Sequence, residues 1–266
     1  MTEDMPDFNS LANPYERFAE PLTSRFCERA AVLSGVGSNE QVIDVATGTG
    51  ALALIVAAMG ARVLATDIAP AMVARTSERL RPFPECEARV MDGASLDAGD
   101  ASFDAAFSIF GVMLFASWRA GLAEMVRVVR ANGRVVVAAW PSRVGATPMV
   151  ILDGVFSRVF PGRSLWGENG LNEWSQTSLR GAVIESGCSD VTVTVCETIQ
   201  SAASVDALLE EFGPLFHFAP NYAALTDEQH ARLQPALKAA FQAYAESDGS
   251  INLPSSALIA VGRKSK

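Results

Sequence analysis

The sequence predicts an α/β fold in which helices cover both faces of a mostly parallel β-sheet. The first reason is alternation, because apolar runs typical of buried strands and helical patterns follow one another between Val42 and Trp140. The second is a glycine turn that joins the first of these strands to a helix, as in doubly wound sheets. The third is size, because 266 residues with 49% hydrophobic content can bury the core of one enlarged domain.

The densest pattern in the chain surrounds this glycine turn. The first predicted strand carries an acid, Asp44, near its carboxyl end, and the turn that follows contains Gly48 and Gly50. A helix is predicted over residues 51–59, and the next strand delivers a second acid, Asp67, about 20 residues after the first glycine. Glycines without a Cβ let a ligand approach the backbone, and an acid at the second strand tip suits ribose hydroxyls.

This arrangement resembles motif I of the class I S-adenosylmethionine (SAM)-dependent methyltransferases. The NAD fingerprint needs a third glycine three residues after the second, and Ala53 holds that position. An NAD-dependent oxidoreductase stays a less favoured alternative, because the sequence also lacks a Tyr-x-x-x-Lys pair for hydride transfer. A non-enzymatic SAM- or nucleoside-binding protein is the other alternative, although retention of the ligand-contacting acids argues against it.

The resemblance implies a Rossmann-like sheet of seven strands, with an antiparallel last strand inserted beside the fifth. It implies SAM as cofactor and S-adenosylhomocysteine as product, with Asp44 at the methionine end. In the same way, Asp67 holds the ribose and Asp92 the adenine amine. The predicted cofactor-binding residues are Asp44, Ala46, Thr47, Gly48, Gly50, Asp67, Ile68, Met72, Asp92, Gly93 and Ser108.

A second segment supports the same family. An amphipathic helix predicted over residues 120–130 ends at Asn132-Gly133, which matches a C-cap, and a buried strand is predicted over residues 134–140. The segment is similar to the family's Glu-x-x-Arg-Val-Leu-x-Pro-Gly-Gly pattern, except that Ala131-Asn132 replaces Pro-Gly. The resemblance covers about residues 40–140 and points to the subgroup that includes quinone-biosynthesis and small-molecule methyltransferases.

The exit of the fourth predicted strand bears on the acceptor. Methyltransferases of nucleobase amines usually carry an Asn/Asp-Pro-Pro-aromatic motif there, whereas this chain has Ser-Ile-Phe-Gly at residues 108–111. The apolar run that follows suits an apolar or aromatic small molecule, although burial in the core explains it equally well. The predicted substrate-binding residues are Tyr15, Phe18, Phe110, Trp140 and Phe216. His217 is the predicted general base, with a core histidine as the alternative.

Helical segments are predicted at both ends of the fold. Residues 1–36 form a predicted N-terminal helical lid, and residues 37–266 form the methyltransferase domain. A C-terminal helical cap insertion is predicted at about residues 200–254, between the last two strands. Such a cap lies above the carboxyl ends of the strands, where ligands of open α/β sheets bind.

Composition limits the partners. A net charge of −9 and a pI near 4.8 disfavour nucleic acid as a substrate. Four separated cysteines and two histidines show no metal-ligand spacing, so no metal is predicted. The sequence has neither a signal-peptide pattern nor an apolar run of about 18 residues. We therefore expect a cytoplasmic protein without a membrane span that acts on a small molecule, with a homodimer possible.

Overall fold

Seven strands form one sheet in the computed structural model, which describes residues 8–141, 147–166 and 174–265. They are β1 (Gln41–Val45), β2 (Arg62–Asp67), β3 (Glu87–Val90), β4 (Phe103–Ile109), β5 (Val129–Ala139), β6 (Cys188–Ala202) and β7 (Ile251–Lys264). Their order is β3-β2-β1-β4-β5-β7-β6, and β7 runs antiparallel to both neighbours while the other pairs are parallel. The predicted Rossmann-like sheet with a reversed last strand beside β5 is confirmed.

Helices connect the strands and cover both faces of the sheet. They are α1 (Ala12–Pro14), α2 (Glu20–Ser34), α3 (Ala51–Ala58), α4 (Pro70–Leu80), α5 (Trp118–Val128), α6 (Thr147–Val159), α7 (Gln176–Glu185), α8 (Val205–Phe216), α9 (Pro220–Ala223) and α10 (Asp227–Gln242). The helix α7 begins after Ser175, whose side chain accepts from the backbone N–H of Ser178 and so caps the first turn. No helix within the described ranges combines the length and apolar character needed to cross a membrane.

The central strands hold the core and set the position of the site. Both faces of β1 and of the second half of β5 are covered, so residues 42–45 and 135–139 have almost no exposed surface. Asp44 lies within this buried part of β1, where its parallel neighbours are Ala65 of β2 and Phe107 of β4. The carboxyl ends of β1, β2 and β4 therefore meet at one edge, beside a buried acid.

The passage from α5 to β5 differs from the prediction. The helix ends at Val128 and the chain enters β5 at once, because Val129 takes an extended conformation and pairs with Phe103. Asn132 does have the left-handed conformation that a C-cap requires (φ 63°), but it lies inside β5, where the register with β4 shifts. The predicted C-cap at Asn132-Gly133 is therefore wrong, since Arg130 pairs with Asp104 and holds the segment in the sheet.

The N-terminal segment Ala12–Ser34, called the lid here, is one continuous helical element. It consists of α1, a π-helical turn at Tyr15–Ala19 and α2. Pro21 lies in the first turn of α2, directly after the π-helical turn, and supplies no backbone N–H there. Gly35 ends α2 in a left-handed conformation (φ 64°), as its sequence position predicts.

The segment between β6 and β7, residues 203–250, is called the cap and contains α8, α9 and α10. It is shorter than the predicted insertion because β6 and β7 pair along their full length, as far as Ala202 with Ile251. The helix α6, which precedes β6 in the chain, packs against α10 and so joins the same layer. This layer is therefore assembled from two separate chain segments, which the strand prediction did not indicate.

Candidate functional site

The glycine turn after β1 has an unusual backbone. Ala46, Gly48 and Gly50 all have positive φ angles, of 57°, 57° and 92°. A Cβ on Gly50 would lie 2.8 Å from the Thr76 methyl group, so the close approach of α4 demands a glycine there. A Cβ on Gly48 would meet only the Tyr15 ring, at 3.5 Å. Gly50 is therefore fixed by packing, whereas Gly48 presents bare backbone toward the lid.

Two carboxylates lie directly behind this turn. The buried Asp44 carboxylate accepts a 2.6 Å hydrogen bond from the Thr47 hydroxyl. The Asp67 carboxylate accepts from the backbone N–H groups of Gly48 and Ala69, both at 2.9 Å. A carboxylate offers about four acceptor positions, so Asp67 can still accept from an incoming hydroxyl donor.

Burial perturbs both acids. It raises the pKa of Asp44 to about 7, and the nearby charge of Asp67 adds to the shift. It also raises the pKa of Asp67, although the backbone N–H groups of Ala69 and Gly48 oppose this. Two acids with raised pKa values in one cleft are typical of a site that receives a positively charged or hydroxyl-bearing ligand.

The ends of β2 and β3 form the third part of the site. Asp92 is exposed and accepts from the N–H of Ala94, in a turn that leaves the rest of its carboxylate free of described contacts. Beside it, Ile68 and Val90 are 51% and 53% exposed, although both are apolar. An exposed apolar pair next to an acid suits a flat ring with an exocyclic amine. Val90 was not predicted as a site residue. It pairs directly with Asp67 across the β2–β3 ladder, which brings it beside Ile68.

One aromatic ring fills the space behind Gly93. A Cβ on Gly93 would lie 2.4 Å from the Phe115 ring, and one on Gly121 of α5 would lie 2.6 Å from the same ring. Phe115 is therefore held between the loop after β3 and the helix α5. The predicted role of Gly93 gains a packing reason that does not depend on a ligand.

Two predicted cofactor-binding residues lie beneath the cleft. Met72 is buried in a small cluster with Ala12 and Ala69, where it supports Tyr15. Ser108 is fully buried, and its hydroxyl accepts from the N–H of Val112. In this arrangement Met72 supports the lid and Ser108 supports the exit loop, and their contact with the cofactor stays a prediction.

The lid places one aromatic residue over the glycine turn. The Tyr15 ring is the nearest group to a Cβ placed on Gly48, at 3.5 Å. Burial raises the pKa of Tyr15, and the carboxylates of Glu20 and Asp67 add to the shift, so its phenol is neutral. Tyr15 thus lies on the predicted cofactor side, whereas it was predicted to bind the acceptor. Phe18 packs on the core with its ring covered by a guanidinium group 5.0 Å away.

An aromatic wall stands at the carboxyl ends of β4 and β5. Phe110 and Trp140 stack with ring centroids 3.9 Å apart and an interplanar angle of 9°. Phe26 of the lid packs edge-on against both rings, at 5.7 and 5.6 Å. Two predicted acceptor residues are therefore brought together, and Phe26 is a third that was not predicted as a site residue.

The cap places its aromatic residues differently from the prediction. Phe216 is 1% exposed and packs between Tyr222 and Phe241 in the cap interior, so it does not face the cleft. Phe218 contacts Tyr15 instead, with centroids 6.0 Å apart. The signal was available, because Phe212, Leu215 and Phe216 share the buried face of α8 and residue 218 lies beyond it.

The predicted general base lies at the exposed surface of the cap. His217 is exposed, and its ring contacts are with Tyr222 and His230, both in the cap. Partial desolvation and the neighbouring His230 lower the pKa of His217. This placement argues against His217 as the base, because its ring belongs to the outer surface of the cap. Within the described ranges, no three His, Cys, Asp or Glu side chains are arranged to hold a metal ion.

Comparison with known proteins adds independent evidence. A family model described as a methyltransferase domain matches residues 43–137, from β1 to β5. A demethylmenaquinone methyltransferase of Thermus thermophilus is 34% identical over 162 residues, which are 58% of this chain and 73% of that protein. A relative of the same name from Tropheryma whipplei is 33% identical over 134 residues, 49% of this chain, and the chain spans only 56% of its length.

A solved structure shows the same fold. It is phosphoethanolamine N-methyltransferase 2 of Haemonchus contortus, in complex with phosphomonomethylethanolamine and S-adenosylhomocysteine. Its TM-score is 0.59 at 16% identity, over 97% of this chain and 58% of that one.

The matches coincide with the geometry. The matched residues contain the turn, the two buried acids, the Asp92 loop and the first part of the aromatic wall. Three features fit a nucleoside that carries a cationic amino acid. They are the Asp67 carboxylate, the bare Gly48 backbone, and the exposed apolar pair Ile68 and Val90. None of these features requires an NAD-binding site as its explanation. The chain belongs to the class I SAM-dependent methyltransferases and is an enzyme that uses SAM as its cofactor.

Proposed function

We propose that this enzyme methylates a small apolar or aromatic molecule. The observation that carries the proposal is the Phe110–Trp140 stack at the carboxyl ends of β4 and β5. Gly111, directly after this stack, packs so closely on Ala46 that a Cβ there would lie 2.4 Å away. The aromatic wall therefore adjoins the glycine turn. The Thermus relative, whose name gives a demethylmenaquinone as its acceptor, supports an aromatic substrate class.

In the proposed arrangement SAM lies along the carboxyl edge of β1, β2 and β3. Asp44 attracts the ammonium group of the methionine end, and Asp67 accepts from the ribose hydroxyls. Asp92 accepts from the adenine amine, and Ile68 and Val90 cover the faces of the ring. The support is the order of these groups along the edge and the pKa shifts of the two buried acids.

The chemistry asks little of the protein beyond alignment. SAM supplies a methyl group on a sulfonium, which is transferred by in-line displacement. The chain's own part is to bind both molecules, to align the acceptor and to exclude water. The lid and the cap, which correspond to predicted residues 1–36 and about 200–254, are proposed to close the cleft through Tyr15 and Phe218. No general base is assigned, because His217 faces the outside of the cap.

The proposal is tested by measuring S-adenosylhomocysteine release from SAM with quinols, phenols, amines and carboxylates as acceptors. We expect turnover with an aromatic hydroxyl or quinol compound and none with aliphatic amines or carboxylates. Trp140→Ala should raise the KM for that acceptor and leave the Kd for SAM unchanged, whereas Tyr244→Ala, an exposed aromatic change in the chain segment after α10, should alter neither. Turnover confined to an aliphatic amine would overturn the proposed substrate class.

Asp67→Ala tests the placement of SAM. Loss of a charge-assisted acceptor should weaken SAM binding by about 1–3 kcal/mol, measured by titration calorimetry. Asp97→Ala, an exposed acid change on the loop after β3, serves as the matched control and should leave the affinity unchanged. Equal affinities of both variants and the wild type would show that the cofactor binds elsewhere.

The remaining partner predictions are also proposals. A net charge of −9 disfavours nucleic acid as a substrate. A cytoplasmic location and a homodimer stay predictions, and light scattering of the purified protein tests the second.

A further inference from the structure

A carboxylate of the lid grips the glycine turn and α4 together. Glu20 accepts from the hydroxyl of Thr49, which is the residue between the two turn glycines. It also accepts from both terminal nitrogens of Arg79 on α4, each at 2.7 Å. Arg79 in turn donates to the backbone carbonyl of Thr49, at 2.7 Å. Glu20, Thr49 and Arg79 therefore form a closed three-residue network, called the latch here.

A second ion pair runs parallel to the latch. Glu16, one turn before Glu20, accepts from two nitrogens of Arg75, at 2.5 and 2.7 Å. The two pairs differ in exposure, because the Glu20 and Arg79 side chains are 13% and 20% exposed and those of Glu16 and Arg75 are 25% and 35% exposed. The drier pair is screened less by solvent and salt, so the latch is the stronger attachment.

The latch and Tyr15 hold the same turn from two sides. The backbone N–H of Glu20 donates to the carbonyl of Tyr15 across the π-helical turn. The backbone of Glu20 therefore helps to position the Tyr15 ring over Gly48, while the Glu20 carboxylate holds the Thr49 hydroxyl. π-helical turns of this kind occur frequently at functional sites. Neither Glu20 nor Arg79 points a free group into the proposed cleft.

We propose that Glu20 and Arg79 are positioning residues that lock the lid over bound SAM and so set how long the cofactor stays bound. This inference rests on the proposed placement of SAM over Gly48. Opening the lid breaks the latch and withdraws Tyr15, which gives SAM a path to solvent. Closing the lid restores the turn geometry that Thr49 needs. The latch therefore acts on the dissociation of SAM rather than on methyl transfer.

Glu20→Gln is the sharpest test, because it keeps the size of the side chain and an acceptor oxygen for Thr49 but removes the charge that holds Arg79. We expect SAM and S-adenosylhomocysteine to dissociate roughly tenfold faster, as follows from the loss of a charge-assisted pair. The Kd for SAM should rise by a similar factor, and kcat at saturating SAM should fall by less than about twofold. Stopped-flow fluorescence gives the dissociation rates without turnover.

A matched control separates positioning from general stability. Glu40, directly before β1, forms a comparable pair with Arg134 of β5, at the amino end of β1 and away from the glycine turn. It also accepts from the backbone N–H of Gly37. Glu40→Gln should lower the Tm to a similar extent and leave the Kd for SAM within twofold of the wild type. Arg79→Lys, which keeps the charge but loses the forked geometry, covers the case in which Glu20→Gln fails to fold.

The outcomes are distinct from those of the proposed function. If Asp67→Ala weakens SAM binding and the folded Glu20→Gln and Arg79→Lys variants bind like Glu40→Gln, the latch is overturned and the site stands. If Asp67→Ala has no effect, the placement of SAM fails first. Hydrogen exchange gives an independent reading, because residues 12–34 should exchange faster in Glu20→Gln than in Glu40→Gln, and equal rates would contradict the latch.

Discussion

Asp44 has an unusual environment for a carboxylate. It is a carboxylate in the middle of an apolar strand, with its pKa raised to about 7 by burial and by Asp67. In the unfolded chain such a group has a pKa of about 3.9. Between these two values the folded protein holds a proton that the unfolded chain has released. Its charge is therefore available for a cation only near neutral pH and above.

This gives a pH prediction with two opposite signs. As the pH falls from 8 to 6, Asp44 becomes protonated and should lose its attraction for the ammonium group of SAM, so the Kd should rise by up to about tenfold per pH unit. Over the same range the ligand-free protein should become more stable, because the folded state binds the extra proton. Calorimetry and urea unfolding at each pH measure the two trends.

Asp44→Asn is the control for both trends. It should bind SAM weakly at every pH, and its stability should depend less on pH between 5 and 8. A wild-type Kd for SAM that stays constant between pH 6 and 8 would show that Asp44 does not titrate against the cofactor.

At the residue scale the sequence predicted the acids better than the aromatics. Asp44 and Asp67 were found because acids at strand ends stand out against an apolar background. Phe216 was chosen instead of Phe218, because composition alone does not say which side of a loop faces a cleft. For Met72 and Ser108 the family motif gives sequence position but not depth of burial, so their contact with the cofactor stays a prediction.

At the element scale, α4 and the glycine turn constrain each other. Thr76 of α4 donates to the Gly48 carbonyl at 2.9 Å, and its methyl group occupies the space where a Gly50 side chain would lie. The turn is therefore held by Thr76 of α4 on the Gly48 carbonyl and by Glu20 of the lid on the Thr49 hydroxyl. A change in either helix reaches the backbone that faces the ligand.

Gly50→Ala should destabilise the protein in two separable ways. An alanine at φ 92° costs roughly 1–2 kcal/mol, and the contact with the Thr76 methyl adds a further cost. Thr76→Ser removes that methyl group. In urea unfolding, the double variant Gly50→Ala/Thr76→Ser should therefore recover the steric part of the lost free energy of unfolding and keep the part due to the positive φ. A double variant as unstable as the sum of the single changes would contradict the steric part.

Some element boundaries are controlled by a single residue. Pro70 begins α4 because its fixed φ suits the first helical turn, and Gly35 ends α2 because glycine tolerates the left-handed conformation there. Asn132 was misplaced because a left-handed residue serves a C-cap and a bulge equally well, and strand pairing decided between them. The length of the β6–β7 ladder also depends on pairing between distant residues, which periodicity in one strand does not reveal.

At the scale of the whole molecule, the lid and the cap meet above the sheet through Tyr15 and Phe218. The lid lies near the start of the chain and the cap near its end, so their contact closes the fold around the site. No local pattern predicted this contact. The family resemblance placed both segments near the ligand, but their meeting point required the structure.

Ligand binding should therefore protect both segments together. Saturation with S-adenosylhomocysteine at about 100 times its Kd should stabilise the folded state by about 2.7 kcal/mol. Hydrogen exchange should slow both in residues 12–34 and in α8, and Phe218→Ala should abolish the protection of α8 while leaving most of that in the lid. Phe83→Ala, another half-buried phenylalanine, should change neither. Protection confined to the lid in the wild type would show that the cap does not take part.

Phe115 carries a consequence for how this enzyme can diverge. Its ring occupies the space that side chains at Gly93 and at Gly121 would need. A lineage that first replaces either glycine meets a clash with the Phe115 ring. A lineage that first replaces Phe115 by a small residue leaves a cavity, and such a Phe→Ala change typically lowers the free energy of unfolding by about 3–5 kcal/mol. The three positions therefore evolve as a unit. Any remodelling of the apolar exit loop for a new acceptor also moves the loop that carries Asp92.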